Sequence, residues 1–218
     1  MSGHALAGPL TDGLATLGLT LSETQQTQLL AYLDRLTQWN RVYNLTALRE
    51  PADMLTHHLL DSLAVIGPLR RQAAGRALRV LDVGSGGGLP GVVIAICCPE
   101  WRVDCVDTVG KKAAFIQQVA GALGLRHLRG VHARVESVSQ PYDVVVSRAF
   151  ASLADFTAWS GRALAEHGVW LAMKGKLPSD ELTALPPEVA LFHVEPLTVP
   201  GLEAERCLIW LRPAAGPA

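Results

Sequence analysis

The segment that most constrains the fold of this chain is residues 79–91, with the sequence RVLDVGSGGGLPG. Val80, Leu81 and Val83 form a short apolar run that is typical of a buried parallel strand. Five glycines follow within eight residues, and glycine permits positive φ angles and a close approach of backbone N–H groups to a ligand. Pro90 suits the first turn of a helix, and the residues behind it are apolar. The segment therefore predicts a strand, a glycine turn and a helix, which together cradle a nucleotide-like cofactor.

Two cofactors fit this turn. Residues 86–91 match G-x-G-x-x-G, so a nicotinamide dinucleotide has to be considered. Asp82, however, would repel a pyrophosphate and suits a ligand with cationic groups, such as the amino acid part of S-adenosylmethionine (SAM). A second predicted strand, residues 101–107, ends in a carboxylate that can accept hydrogen bonds from ribose hydroxyls in either cofactor. The two aspartates could also be helix caps only. The SAM interpretation assigns cofactor contacts to Asp82, Gly84, Gly86 and Asp107.

Composition narrows the class of protein. A chain of 218 residues, 49% of them hydrophobic, can form one α/β domain with a modest extension. Its formal net charge of −1 argues against indiscriminate nucleic-acid binding, although not against a local basic patch. The four cysteines show no C-x-x-C spacing, so we expect buried thiols in a reducing cytoplasm and no metal site. We see no signal peptide and no membrane span.

The order of the other predicted elements indicates the fold class. Residues 22–25 match a capping box that begins a helix ending near Asn40, and Pro51 opens a helix through about Leu69. Strands then alternate with helices, and two strands close the chain. We predict an N-terminal helical extension over residues 1–75, packed on a methyltransferase domain over residues 76–218. The domain is expected to hold a Rossmann-like, seven-stranded sheet, mostly parallel, with an antiparallel last strand.

Several polar residues stand where a connecting segment or a strand end is predicted. Residues 39–46 mix aromatic side chains with two asparagines, which suits base recognition but also a simple Asx turn. His58 and Asp61 share a helix face and are interpreted as a structural pair or as part of the cofactor mouth. Arg148 directly follows an apolar strand and must find a partner. A run of arginines from 70 to 79 is either a solvated face or a phosphate contact.

Together these motifs resemble the RsmG family, also called glucose-inhibited division protein B, whose members are bacterial methyltransferases of small-subunit ribosomal RNA. The resemblance covers nearly the whole chain, with departures at His57 and Cys207, where many members have arginine and histidine. Its carriers are W-N-x-x-Y-N-L-T at 39–46, H-L-L-D-S at 58–62, the glycine turn, Asp107 ahead of Lys111 and Lys112, S-R-A-F-A-S at 147–152, and Lys174-Gly175.

The resemblance implies methylation of N7 of one guanosine, position 527 in the 530 loop of 16S rRNA. It also implies SAM contacts at Gly84, Leu89, Val135, Glu136 and Arg148. Guanine N7 has an exposed lone pair and no proton to lose, so an in-line attack needs no general base. Catalysis would then rest on alignment of N7 with the methyl–sulfur bond.

Site roles follow from that reaction. We expect the catalytic mouth at Asn44, Arg148 and Lys174, with Arg148 facing the SAM carboxylate, a phosphate or O6. Lys111 and Lys112 stand at the unfavourable end of a helix dipole, which indicates an anionic partner or merely solvated lysines. A structured particle is favoured over free rRNA as the substrate, and a monomer is expected. The residues expected to contact RNA are Asn40, Arg41, Tyr43, His58, Lys111, Lys112 and Lys176.

Three other functions stay open at this point. A methyltransferase of small molecules would have a closed apolar pocket in place of an open basic rim. A nicotinamide-dependent oxidoreductase would be stabilised by NAD and not by SAM. A SAM-sensing ribosome-assembly module would bind SAM and RNA without transferring a methyl group.

Overall fold

The computed structural model describes residues 4–214 of the chain, and the described part before the sheet consists of helices joined by turns and loops. Helix α2 begins at a complete capping box, in which Ser22 and Gln25 satisfy each other's backbone N–H groups. No helix in residues 4–214 is both long enough and apolar enough to span a bilayer. The segments before the sheet are α1 (Ala7–Thr16), α2 (Glu23–Tyr43), α3 (Pro51–Met54), a π-helical stretch (Leu55–Leu60), α4 (Asp61–Leu63) and α5 (Ile66–Ala73).

The remaining helices alternate with seven strands in one sheet of order β3-β2-β1-β4-β5-β7-β6. Strand β7 is antiparallel to both neighbours, and the other described pairings are parallel. The predicted fold class is therefore confirmed. The strands are β1 (Arg79–Val83), β2 (Arg102–Asp107), β3 (Leu128–His132), β4 (Tyr142–Arg148), β5 (Leu164–Lys174), β6 (Val189–Leu197) and β7 (Arg206–Pro213). The helices are α6 (Gly91–Cys97), α7 (Gly110–Ala122), α8 (Leu153–Ser160) and α9 (Ser179–Thr183).

Alternation of side chains along the strands gives the sheet two apolar faces. On β1, Val80 belongs to a cluster with α1, α2, α6 and α7, whereas Leu81 and Val83 belong to a second cluster with α8. The helical segment thus shares its core with one face of the sheet. The division at residue 75 into an extension and a domain stays a prediction.

Two details of the helical segment differ from the sequence-based expectation. Helix α2 continues past Asn40 to Tyr43 and ends at Asn44, which adopts the left-handed conformation with φ of 49°. The helix continues because the Asn40 amide does not compete for its own turn: it donates to the Leu48 carbonyl and accepts from the Thr46 N–H. The helix predicted from Pro51 contains the π-helical stretch and is interrupted before α5.

Helix α2 also supports the glycine turn from behind. The buried Tyr32 hydroxyl donates to the Gly87 carbonyl over 2.6 Å, and the Gln25 amide donates to the Ile96 carbonyl over 2.9 Å. A Cβ on Gly87 would lie 2.9 Å from Leu36 Cδ1, so the turn fits closely against the helix. Helix α2 therefore supports both the turn between β1 and α6 and the end of α6 itself.

We expect Tyr32→Phe to lower the free energy of unfolding by about 1–3 kcal/mol, because the buried Gly87 carbonyl loses its donor. Urea unfolding measures the change. Tyr43→Phe is the matched control, since its ring is 42% exposed. Equal losses in the two variants would contradict the proposed support of the turn.

Candidate functional site

Parallel strands β1, β2, β4 and β5 end at the same edge of the sheet, here called the carboxyl edge, and two cavities open there. The mouth cavity, of about 420 Å³, is bordered by the glycine turn, Arg148, Lys174 and the π-helical stretch. The side cavity, of about 350 Å³, is bordered by the end of β2, residues 133–136 and two aromatic rings. Gly84 and Ala149 line both, so the cavities meet at the glycine turn.

The glycine turn needs its glycines for steric reasons. Gly84 has φ of +66°, and a Cβ there would lie 2.3 Å from Phe150 Cδ2. Gly86 has φ of +56°, and its N–H donates to Asp107 Oδ2 over 3.0 Å. Leu89 is buried and lines the mouth cavity. The turn thus presents backbone rather than side chains to the junction of the two cavities.

The sequence left open whether Asp107 caps a helix or accepts hydrogen bonds from a cofactor, and its position in the structure allows both. Its Oδ1 accepts from the Val109 N–H over 2.8 Å at the start of α7, and its Oδ2 accepts from Gly86. Lys112 Nζ lies 3.7 Å from the same oxygen. The carboxylate also lines the side cavity, and an ionised carboxylate has about four acceptor positions. Asp107 can therefore hold the turn and still accept a hydroxyl from a ligand.

The opposite wall of the side cavity is apolar with one acid. Val135 is buried, and Glu136 pairs with Arg134 over 2.8 Å, a hydrogen bond that lowers the pKa of Glu136. Phe150 and Trp159 complete the wall, with ring centroids 5.8 Å apart and planes at 83°. No role for either ring was predicted from the sequence, although Phe150 stands in the S-R-A-F-A-S segment just after the end of β4.

The position of the Asp82 side chain contradicts the prediction that it faces a cationic part of the cofactor. It is fully buried, lines neither cavity and accepts the Gly91 N–H over 2.8 Å at the start of α6. Its Oδ1 has no hydrogen-bond partner among residues 4–214. Burial raises the pKa of Asp82 to about 7. The reason is strand alternation, which turns position 82 to the α6 face of the sheet, under the turn rather than above it.

The buried carboxylate of Asp61 forms ion pairs with two arginines beside the mouth cavity. Asp61 accepts from Arg148 over 3.0 Å and from Arg206 over 2.8 Å. Arg148 also donates to the His57 carbonyl over 3.0 Å. We call Asp61, Arg148 and Arg206 the Asp61 cluster. The sequence pattern predicted a role for Arg148 here but gave none for Arg206. Of the two interpretations of His58 and Asp61, the structure contradicts the mutual pair, whereas both residues line the mouth cavity.

His58 hydrogen-bonds Thr46 rather than Asp61, with Nε2 2.6 Å from the hydroxyl oxygen. Burial, helped by Arg148, lowers the pKa of His58 to about 4. The ring is therefore neutral near pH 7. It lines the mouth cavity, but a neutral ring cannot bring a positive charge to the RNA contact that was predicted for His58.

Lys174 lines the mouth cavity with its ammonium group already engaged. Its Nζ donates to both Glu181 oxygens, at 3.0 and 2.8 Å, and to the Ala151 carbonyl at 3.1 Å. An ammonium group has three donors, so all of them are used. The predicted catalytic role of Lys174 is untested, and its charge is balanced by Glu181.

The predicted RNA contacts separate into two groups. Asn40 is 1% exposed and both ends of its amide bind backbone, so its placement contradicts an RNA contact. Arg41, Tyr43, Asn44, Lys111 and Lys176 are exposed and Lys112 is half-buried. Lys111 Nζ lies 5.2 Å from the centroid of the Tyr43 ring, which also packs on Trp39. Asn44 was predicted at the catalytic mouth, but it lines neither cavity, and its side-chain oxygen accepts a hydrogen bond from Arg49 over 2.7 Å.

No group of three or more potential metal ligands occurs within residues 4–214. The site therefore offers a cofactor cradle, a neutral imidazole and cations paired with carboxylates. All of these surround one open mouth.

Comparison with known proteins gives consistent matches. The family model GidB, described as rRNA small subunit methyltransferase G, matches residues 25–209. The chain is 65% identical over 223 residues to "Ribosomal RNA small subunit methyltransferase G" of Acidovorax ebreus, covering 99% of both chains. It is 54% identical over 233 residues to the protein of that name from Verminephrobacter eiseniae, covering 99% of this chain and 98% of the relative.

Solved structures show the same fold at low sequence identity. TrmN from Thermus thermophilus matches with a TM-score of 0.56 at 21% identity, covering 73% of this chain and 53% of that one. A mutant of MtNAS in complex with S-adenosylmethionine matches with a TM-score of 0.59 at 12% identity, covering 98% of this chain and 100% of that one. These likenesses support the class of fold that the sequence predicts.

The raised pKa of Asp82 makes a pH-dependent prediction. An acid with a higher pKa in the folded than in the unfolded chain stabilises the fold at low pH, and this contribution is lost as pH rises through the folded pKa. In Asp82→Asn the amide oxygen can still accept from Gly91, but nothing titrates. We expect wild type to lose stability relative to Asp82→Asn between about pH 4 and pH 7. Urea unfolding at several pH values measures this difference, and a pH-independent difference would refute it.

We expect Asp61→Asn to lower the free energy of unfolding by about 2–4 kcal/mol, because two largely buried guanidinium groups lose their counter-charge. Glu136→Gln removes the same charge from a solvent-exposed pair, where screening by water makes the effect on stability much smaller. Chemical denaturation of both variants gives the comparison. Similar values for the two would show that the Asp61 cluster does not stabilise the fold.

Proposed function

This chain belongs to the GidB family, rRNA small subunit methyltransferase G, and on that premise we propose that it methylates N7 of guanosine 527 in the 530 loop of 16S rRNA, using SAM. The observation that carries the proposal is the glycine turn tied to Asp107 where two cavities meet. One cavity suits a nucleoside and the other opens to solvent beside cationic side chains. We place this reaction in the cytoplasm.

The residues present fit SAM. The side cavity offers a carboxylate for ribose hydroxyls at Asp107, and Val135, Phe150 and Trp159 for an adenine ring. Gly84 and Gly86 let backbone approach the ligand, and Arg148 lies where it can meet the amino acid carboxylate. When bound, SAM supplies an electrophilic methyl group on a positively charged sulfur.

In the proposed reaction the protein has to position the base and the cofactor, and it does not have to transfer a proton. Guanine N7 attacks with a lone pair and carries no proton, so no general base is required. The side chains at the mouth cavity fit a reaction without a base, because His58 is hydrogen-bonded to Thr46 and Asp61 is paired with two arginines. The residues of this chain act by holding the base and cofactor in line and by excluding misaligned approaches.

The paired charges at the mouth also suit the product. Methylation of N7 makes the base cationic, and unpaired cations beside it would oppose the reaction electrostatically. Asp61 compensates Arg148 and Arg206, and Glu181 compensates Lys174. The two arginines can therefore donate further hydrogen bonds, and none of the three cations presents its full charge to N7.

The RNA is proposed to enter beside the end of α2. Tyr43 offers a ring for stacking, and Arg41, Lys111 and Lys176 are exposed cations for phosphates. A monomer acting on a structured small-subunit particle fits a chain with a net charge of −1, because few well-placed contacts then suffice.

The direct test incubates the protein with methyl-labelled SAM and small ribosomal subunits from cells that lack its gene. The label is mapped by strand cleavage specific to N7-methylguanosine. A single cleavage in the 530 loop would establish the reaction and the position together. Label at another nucleotide would reject the position, and no label with SAM bound would favour an assembly factor or another substrate.

We expect the Asn44 amide to serve transfer rather than cofactor binding. Asn44→Gly keeps the left-handed backbone conformation without strain, whereas Asn44→Ala strains it, so the two variants separate the amide from the backbone. Both should reduce the rate of methyl transfer by about tenfold or more, as expected when a positioning contact is lost, with the Kd for SAM nearly unchanged. Full activity in Asn44→Gly, or lost SAM binding in both variants, would show that this role is wrong.

A further inference from the structure

A second polar cavity lies at the opposite edge of the sheet, where the parallel strands begin. Its volume is about 780 Å³, and it shares no residue with the mouth or side cavity. Arg79 begins β1, Arg102 begins β2 and Tyr142 begins β4. We call this cavity the basic groove and define it by Arg79, Arg102, Arg126 and Arg129 with Asp104 and Tyr142.

The floor of the basic groove is fixed by a hydrogen-bonded network. Arg129 donates to both oxygens of Asp104 at 2.7 Å, and the Tyr142 hydroxyl donates to Asp104 over 2.5 Å. Burial opposes ionisation of Asp104, but the hydrogen bonds from Arg129 and Tyr142 outweigh it and lower its pKa. The Arg79 guanidinium lies 5.3 Å from the centroid of the Tyr142 ring. The one carboxylate that lines the groove is thus ionised and committed to Arg129.

The rim of the basic groove carries uncompensated positive charge. Arg102 and Arg126 are exposed, and no carboxylate in the part of the chain that the structure describes forms an ion pair with either. Asp143 lies nearby but accepts from the backbone N–H of Arg79 over 2.7 Å. Four arginines against these two aspartates leave the groove positive, in a chain whose net charge is −1.

We propose that the basic groove binds backbone phosphates of the rRNA substrate, as a second contact remote from the cofactor site. The charges are spread along the starts of neighbouring strands rather than converging on one point. With adjacent strands about 4.8 Å apart, β1 to β3 span about 10 Å, which suits successive phosphates better than one small anion. Such contacts position an RNA without reading its sequence.

This second contact rests on the proposed rRNA substrate, and it concerns which part of the folded RNA reaches the far edge of the sheet. Arg102 at the rim of the groove and Asp107 in the side cavity stand at the two ends of β2, about 16 Å apart at 3.3 Å per residue. Because the groove and the mouth cavity lie at opposite edges of the sheet, we infer that the groove takes a second segment of folded RNA rather than the nucleotides next to the target base.

The test uses the double variant Arg102→Gln/Arg126→Gln, which removes two exposed charges and no described ion pair. The matched control is Arg162→Gln/Arg212→Gln, which removes two exposed charges beside β5 and β7 at the same edge but outside the groove. Binding to protein-free small-subunit rRNA and to small subunits lacking the methyl mark is measured across a salt series. SAM affinity, thermal unfolding and methyl transfer are measured alongside.

We expect the groove variant to bind rRNA and subunits about tenfold more weakly, and its slope of log Kd against log salt to fall by about one to two. The control variant should match wild type, and both should keep normal SAM affinity and kcat at saturating subunits. Groove and control variants with equal affinities and slopes would overturn the inference. So would an effect with subunits but not with rRNA, since the groove would then contact a ribosomal protein.

Failure of the proposed function gives a different pattern. Wild type that binds rRNA in a groove-dependent manner but transfers no methyl group to the 530 loop would reject the reaction and retain the groove. Wild type that binds neither rRNA nor subunits would overturn both.

Discussion

The carboxylate of Asp61, buried between two guanidinium groups, joins three segments that are far apart in the chain. It comes from the helical segment before the sheet, Arg148 ends β4, and Arg206 begins β7. The mouth cavity lies where these segments meet. A buried charge without its partners is unstable, so this contact requires that the helices, the parallel strands and the antiparallel strand be in place together. The site exists only in the complete fold.

The same contact connects architecture with chemistry. An open site for a polyanion needs cations, but a base that becomes cationic needs few of them near its reacting atom. Pairing Arg148 and Arg206 with Asp61 answers both needs, because the guanidinium groups keep further donors while their charge is balanced, and Glu181 balances the charge of Lys174. Exposed cations such as Lys111, set over Tyr43, stand further out on the surface where phosphates can be met.

Local patterns in the sequence were sufficient for the succession of strands and helices and for the glycine turn, because each of these elements is formed by residues near one another in the chain. They failed where tertiary neighbours decide. Asp82 belongs to the turn motif, yet strand alternation buries it against α6. Asn40 belongs to a polar segment, yet its amide organises the loop after α2. The partners of Asp61 come from elements 87 and 145 residues further along the chain, which periodicity and spacing do not reveal.

The uneven distribution of charge has a consequence for selectivity. The whole chain carries a net charge of −1 while the basic groove is positive, so the rest of the molecule is necessarily negative on balance. A surface of this kind is repelled by a polyanion in most orientations and attracted in few. Unstructured cellular RNA then offers little residence time, whereas a folded particle that matches the favourable orientation retains the enzyme. Repulsion over the remaining surface thus disfavours binding to unstructured RNA, which a uniformly basic protein would bind in many orientations.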